Sequence, residues 1–93
     1  MDEFRKRQFA QIRFGIIDFR EGKIGLNMLL SRLEGAARAV GQAFWEEEIF
    51  ATALELEQIN ADLVDERRTL TLPEQAQVEE LINRLEKRLS QIE

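Results

Sequence analysis

Backbone-breaking residues are rare in this chain of 93 residues, and their scarcity limits the folds open to it more than any other feature. The sequence has a single proline, Pro73, and five glycines. Because glycine and proline punctuate short strands and tight turns, a chain with so few of them favours a small number of long helices.

Apolar residues recur at spacings of three and four in each of four segments, which places them on one helical face. The predicted helices cover about residues 3–20, 25–40, 43–67 and 72–92. Thr71 and Glu74 match a capping box at the start of the last one, with proline in its first turn. The pattern therefore predicts an all-α, single-domain fold over residues 1–93, a four-helix antiparallel bundle with short loops.

The composition removes several classes of chemistry, since the sequence contains neither cysteine nor histidine. Disulfide scaffolds, zinc fingers, cysteine nucleophiles and Ser–His–Asp triads are excluded, as is a di-iron site built from Glu-x-x-His pairs. We therefore predict a protein that is not an enzyme and holds no metal or cofactor. No apolar run approaches the roughly 20 residues of a membrane span, so we expect a cytoplasmic protein with no membrane partner.

Charge is distributed unevenly along the chain, whose formal net charge is −5. Residues 1–40 carry a balance of +3, whereas residues 41–93 carry −8. Between Gly41 and Glu66 there are eight acidic residues and no lysine or arginine. A surface helix usually gains stability from alternating charges three or four residues apart, and the third helix has none of these pairs.

Most of these carboxylates are predicted to lie along the outside of the third helix, opposite its apolar stripe. At about 100° per residue, four of them fall within about 40° of one another. The set comprises Glu48, Glu55, Asp62 and Glu66, with Glu47 and Asp65 at its edge. Phe44 falls at nearly the same angle and is a candidate interface anchor, because aromatic residues are common at binding hot spots.

Two interpretations of this acidic surface remain open. It is either a solvated face, partly neutralised by arginines of a neighbouring helix, or a docking surface for a basic protein partner. Nucleic acid is not expected to bind, because the carboxylates would repel phosphates.

Phe50, Leu54, Ala61 and Val64 widen the apolar stripe of the third helix, and a stripe of this width predicts contacts with more than one neighbouring helix. Glu57 lies within this apolar sector, where we expect it to pair with a basic residue of the first or second helix. Phe14, Ile17 and Met28 fall outside the main apolar stripes of their helices.

Three segments carry a resemblance to a known group of proteins. They are IDFREGKIGLNMLL at residues 17–30, the pair Phe44-Trp45, and LELEQINA at residues 54–61. Together they resemble small all-helical bacterial immunity proteins of the colicin D and contact-dependent growth inhibition type. The resemblance implies tight binding to a cognate toxin domain, often a basic nuclease, so that its active site is blocked.

Our first hypothesis is an immunity-type inhibitor that binds a basic toxin domain through the acidic face of the third helix. The residues predicted to contact the partner are Glu47, Glu48, Glu55, Asp62, Asp65, Glu66 and Phe44. The alternative is a non-enzymatic, self-associating helical adaptor or regulator. Its homodimer would be built from the apolar seam of the fourth helix and the surplus aromatic residues of the first.

Overall fold

Four helices account for all the regular structure in residues 2–93, the part of the chain that the computed structural model describes. Three of them are α1 (Glu3–Arg20), α2 (Leu26–Val40) and α4 (Leu72–Ile92). The third, α3, runs through the consecutive segments Gln42–Phe44, Trp45–Ile49 and Phe50–Glu66. The all-α prediction is confirmed, and each helix begins and ends within about one residue of the position predicted from the sequence.

The helix ends are fixed by local chemistry. The Asp2 carboxylate accepts a hydrogen bond of 2.7 Å from the backbone N–H of Arg5 and so caps α1. Gly41 separates α2 from α3 at a φ of 155°, a conformation that residues with a Cβ rarely adopt. At the C-terminal end of α3, the backbone of Arg67 adopts the left-handed conformation with a φ of 50°. This residue ends the helix and begins the connection to α4.

The segment Trp45–Ile49 is π-helical, which distinguishes α3 from the other three helices. The backbone N–H of Phe50 donates to the carbonyl of Trp45, five residues earlier rather than four. A π turn accommodates one extra residue, so the faces before and after it are out of phase with a regular α-helix. No glycine or proline marks this turn in the sequence.

The core lies between the four helices. Helix α1 packs on α2 and α4, and α3 packs on the same two helices. The radius of gyration is 13.1 Å, close to the roughly 12 Å expected of a compact chain of this length, so the helices form one globule. The largest fully buried side chains are Phe9, Ile12, Ile16, Leu29, Leu33, Ile49, Leu56, Val78, Leu81, Ile82 and Leu89.

The apolar seam of α4 belongs to this core. Val78, Leu81, Ile82, Leu85 and Leu89 are all no more than 2% exposed. The expectation that this seam is free to build a homodimer is therefore wrong, because it is already covered by the rest of the chain. The predicted homodimer also used the surplus aromatic residues of α1. On that helix Phe14 is exposed, as is the neighbouring apolar residue Ile17.

Candidate functional site: the outer surface of α3

The carboxylates predicted along the outside of α3 run from Glu48 to Glu66, and the first of them contacts α4. Glu48 accepts hydrogen bonds of 2.5 and 2.9 Å from Nε and Nη2 of Arg88, and its side chain is only 16% exposed. The bidentate arginine lowers the pKa of the Glu48 carboxyl. Neutralisation by an arginine of a neighbouring helix is thus confirmed for Glu48, which serves the packing of α3 on α4.

Glu66, at the other end of this row of carboxylates, is also ion-paired. Glu66 accepts a hydrogen bond from Nε of Arg68. The same guanidinium donates bonds of 2.5 and 2.9 Å to the two carboxylate oxygens of Glu74. Arg68 therefore links the end of α3 to the start of α4 through ion pairs with Glu66 and Glu74. The Glu66 carboxylate is neutralised by this contact.

The remaining predicted carboxylates have no ion-pair partner within residues 2–93 and are exposed. We call them the open carboxylates. They are Glu47, Glu55, Asp62 and Asp65. They lie on a helix that has no basic residue to offset them, so their repulsion is uncompensated along its outer surface.

Acidic residues elsewhere in the described chain behave differently. Arg13 pairs with Glu93, and Arg20 bridges Glu79 and Glu86 across the α1–α4 contact. Outside α3, every acidic side chain of residues 2–93 joins an ion pair except Glu80 and the capping Asp2. The unpaired acidity of the molecule is therefore concentrated on α3.

Phe44 is not part of this surface. It is only 7% exposed, and its ring stacks on that of Phe9 with centroids 5.2 Å apart. The expectation that Phe44 projects beside the carboxylates is wrong, because it counted 100° per residue through a stretch that contains the π turn. The extra residue at Trp45–Ile49 turns Phe44 into the core.

Arg5 covers the stacked rings from the N-terminal end of α1. Its guanidinium carbon lies 5.5 Å from the ring centroid of Phe9 and 5.8 Å from that of Phe44. Cations at this distance are attracted to the face of an aromatic ring. Beside them is an open depression of about 240 Å³, which also reaches Glu47 and Glu48. The buried aromatic pair thus supports one end of the acidic surface.

A second exposed surface of α3 was missed by the sequence interpretation. Phe50, Leu54 and Val64 are 45%, 42% and 65% exposed, although the apolar pattern placed them in a stripe covered by neighbouring helices. Helices α2 and α4 bury only the side of α3 that bears Ile49 and Leu56. The apolar stripe of α3 is wider than one neighbouring helix covers, and this width could have indicated that part of it is exposed. Periodicity alone does not say which part of the stripe a neighbouring helix covers.

Glu57 lies among these exposed apolar residues. It is exposed and has no ion-pair partner within residues 2–93, so the predicted pairing with a basic residue of α1 or α2 is wrong. Within the described residues no other helix covers this side of α3, and the basic residues of α2 pair elsewhere, Arg32 with Asp18 and Arg38 with Glu34.

Another open depression, of about 390 Å³, lies between the end of α1 and the start of α4. Its lining residues are Phe19, Arg20, Thr69, Leu70, Gln75, Val78 and Glu79. Its two charged groups, Arg20 and Glu79, already pair with each other at 2.6 Å. Within residues 2–93, no three acidic side chains are grouped closely enough to hold a metal ion, and no helix is both long and apolar enough to cross a membrane.

Comparison of the chain with protein-family models, with curated proteins and with solved structures finds no match.

Proposed function

We propose that this protein is an immunity-type inhibitor that binds a basic toxin domain in the cytoplasm through the open carboxylates of α3. One observation carries the proposal: outside α3 all but two acidic side chains of residues 2–93 are ion-paired, whereas six of the eight on α3 are not, and four of those six are the open carboxylates. Unpaired like charges destabilise the folded chain on its own, so a partner that neutralises them would regain that free energy on binding.

Glu55 and Asp62 form the centre of the proposed contact. They lie seven residues apart, two turns of the same helix, and both are exposed and unpaired. Two carboxylates spaced along one helix offer acceptors to the lysine or arginine side chains of a nuclease, which otherwise bind phosphates. Glu47 and Asp65 extend the acidic surface toward the ends of α3.

The paired residues of the predicted site have a supporting role in this proposal. Glu48 holds α3 against α4 through Arg88, and Glu66 holds the end of α3 against the connection to α4 through Arg68. These contacts keep the open carboxylates on a rigid helix. We also propose that the four helices form an antiparallel bundle. Their contacts, α1 and α3 each on α2 and α4, and their short connections support that arrangement.

Affinity capture with three tagged baits tests the function. The baits are the wild type, Glu55→Lys with Asp62→Lys, and a control, Glu21→Lys with Glu80→Lys, which changes the net charge equally at sites away from α3. We expect the wild type and the control to capture the same basic protein from a lysate of the source organism. The α3 variant is expected to lose it, and stepwise salt should release it from the other two.

The captured protein must also be toxic. Its expression should arrest growth, and co-expression of the wild type or the control should restore growth, whereas the α3 variant should not. Circular dichroism and thermal melts of the three baits establish that all are folded. Equal capture by all three baits would show that α3 is the wrong surface, and a captured protein without toxicity would contradict the inhibitor role.

A further inference from the structure

Helix α1 has a side on which Arg7, Phe14 and Ile17 are exposed and Ala10 is half-buried within residues 2–93. Arg7, Ala10, Phe14 and Ile17 follow one another at spacings of three, four and three, and so share one side of the helix. Phe14 and Ile17 are 57% and 46% exposed. The opposite side of α1, with Phe9 and Ile16, is buried in the core, where Phe9 stacks on Phe44 of α3. We call the four residues the α1 seam.

The exposed apolar residues of α3 form a second seam of the same kind. Phe50, Leu54, Glu57, Ala61 and Val64 are spaced by four, three, four and three, the alternation found along the contact line of paired helices. All five are exposed. This α3 seam is distinct from Glu55 and Asp62, which lie round the helix from it.

Each seam contains one charged residue, and the two charges are opposite. Arg7 lies in the α1 seam and Glu57 in the α3 seam, and neither has an ion-pair partner within residues 2–93. A charged residue at a seam position selects partners that offer the opposite charge at the facing position. The chain therefore carries both halves of a complementary pair of helix surfaces.

We propose that the part of the α3 seam formed by Phe50, Leu54 and Glu57 in one copy of this chain is covered by the α1 seam of a second copy, with the two helices antiparallel. In the register that joins Arg7 to Glu57, Ala10 faces Leu54 and Phe14 faces Phe50. A small residue then meets a large one, and two aromatic rings meet each other. Pairing of two α3 seams is disfavoured, because an antiparallel match about their centre sets Glu57 against Glu57.

The position of the two helices decides the kind of assembly. The two seams lie on different helices, α1 and α3, each of which packs on α2 and α4. One copy then uses a different surface from the one its partner uses, and the contact is head-to-tail rather than two-fold. This self-association goes beyond the proposed function and does not depend on it, because it uses the seams and not the open carboxylates.

Sedimentation velocity on the full chain over a range of concentrations tests the proposal. The wild type should rise from the 10.9 kDa of one chain to more than twice that mass as concentration increases. Arg7→Glu and Glu57→Arg should each keep the protein at the mass of one chain, and the double variant with both changes should regain association. The matched control is Arg84→Glu, because Arg84 of α4 is exposed and joins no ion pair within residues 2–93, and this variant should associate like the wild type.

A second measurement checks the register. Because the sequence has no cysteine, Ala10→Cys and Leu54→Cys each introduce a single thiol. On mild oxidation, a mixture of the two variants should form the mixed disulfide in preference to either symmetric one. A wild type that stays a monomer at every concentration overturns the proposal, as does a double charge swap that fails to regain association or a preference for symmetric disulfides.

Discussion

At the scale of single residues, Phe44 packs the start of α3 against α1. Its ring stacks on Phe9, Arg5 lies over both rings, and the depression beside it reaches Glu47 and Glu48. The Nε atom of Arg5 is buried there with no hydrogen-bond partner in the described chain. The attraction of the guanidinium to the two rings offsets part of the free-energy cost of removing this Nε atom from water.

Phe44→Ala should lower the free energy of unfolding by about 3–5 kcal/mol, the range for truncating a buried aromatic residue. The matched control is Phe4→Ala, because Phe4 is 48% exposed and should change stability by no more than about 0.5 kcal/mol. Urea titrations followed by circular dichroism measure both values. Equal, small losses would mean that Phe44 is exposed in solution, as the sequence pattern first indicated.

Exposure of single residues could be predicted only in part. Phe14, Ile17 and Met28 were expected outside the apolar stripes, and they are exposed. Phe50 and Glu57 were placed in a covered sector and are exposed instead. The difference is physical: a spacing of three and four fixes which residues share a face, whereas the position of neighbouring helices decides whether that face is buried.

At the scale of helices, the boundary between α3 and α4 shows how local signals combine. Thr71 Oγ1 accepts from the backbone N–H of Glu74, and the Glu74 carboxylate accepts from the N–H of Thr71, so the predicted capping box is confirmed. Arg68 adds an ion pair that the sequence did not indicate. Its position depends on the left-handed backbone of Arg67, which redirects the chain after α3.

The Arg68 guanidinium and the capping contacts lower the pKa of Glu74 from its ordinary 4.5 to about 2. A carboxyl with a depressed pKa stabilises the fold above its unfolded pKa, and that contribution is lost as the pH falls through the folded value. Glu74→Gln keeps the hydrogen bonds of the cap but removes the charge. We therefore expect the variant to melt below the wild type at neutral pH, and the difference to shrink between about pH 4.5 and 2.

Thermal melts across this pH range measure the effect. Glu80→Gln is the control, because Glu80 is exposed and has no ion pair in the described chain. It should follow the wild type at every pH. A wild type and Glu74→Gln that differ by the same amount at pH 2 and pH 7 would contradict the assigned role of the Arg68 pair.

Helix boundaries were predictable because caps, glycines and apolar spacing act within a few residues of one another. The π turn was not, since Trp45–Ile49 contains no residue that demands it. Trp45 and Ile49, at the two ends of the turn, are both buried, and Arg38 of α2 lies 4.9 Å over the indole ring. The π turn therefore lies at a contact with α2, and contacts between helices are not encoded in the segment alone.

At the scale of the whole molecule, ion pairs between helices neutralise one side and leave another charged. The α1–α4 contact is crossed by arginine–glutamate pairs, whereas the exposed surface of α3 keeps its carboxylates open. The sequence predicted this asymmetry, since α3 contains no basic residue. It allowed for partial neutralisation by arginines of a neighbouring helix, but it could not identify Glu48 and Glu66 as the neutralised carboxylates, because those contacts depend on the arrangement of α3 and α4.

The rate of association with the captured basic partner tests the central claim most directly. Stopped-flow measurements would compare the wild type, Glu55→Lys with Asp62→Lys, and the charge-matched Glu21→Lys with Glu80→Lys control over a series of salt concentrations. If the open carboxylates steer the partner, association of the wild type and the control is fast at low salt and falls steeply as salt is added. The α3 variant should then associate slowly, with little dependence on salt. Identical rates and salt dependence for all three proteins would contradict the account.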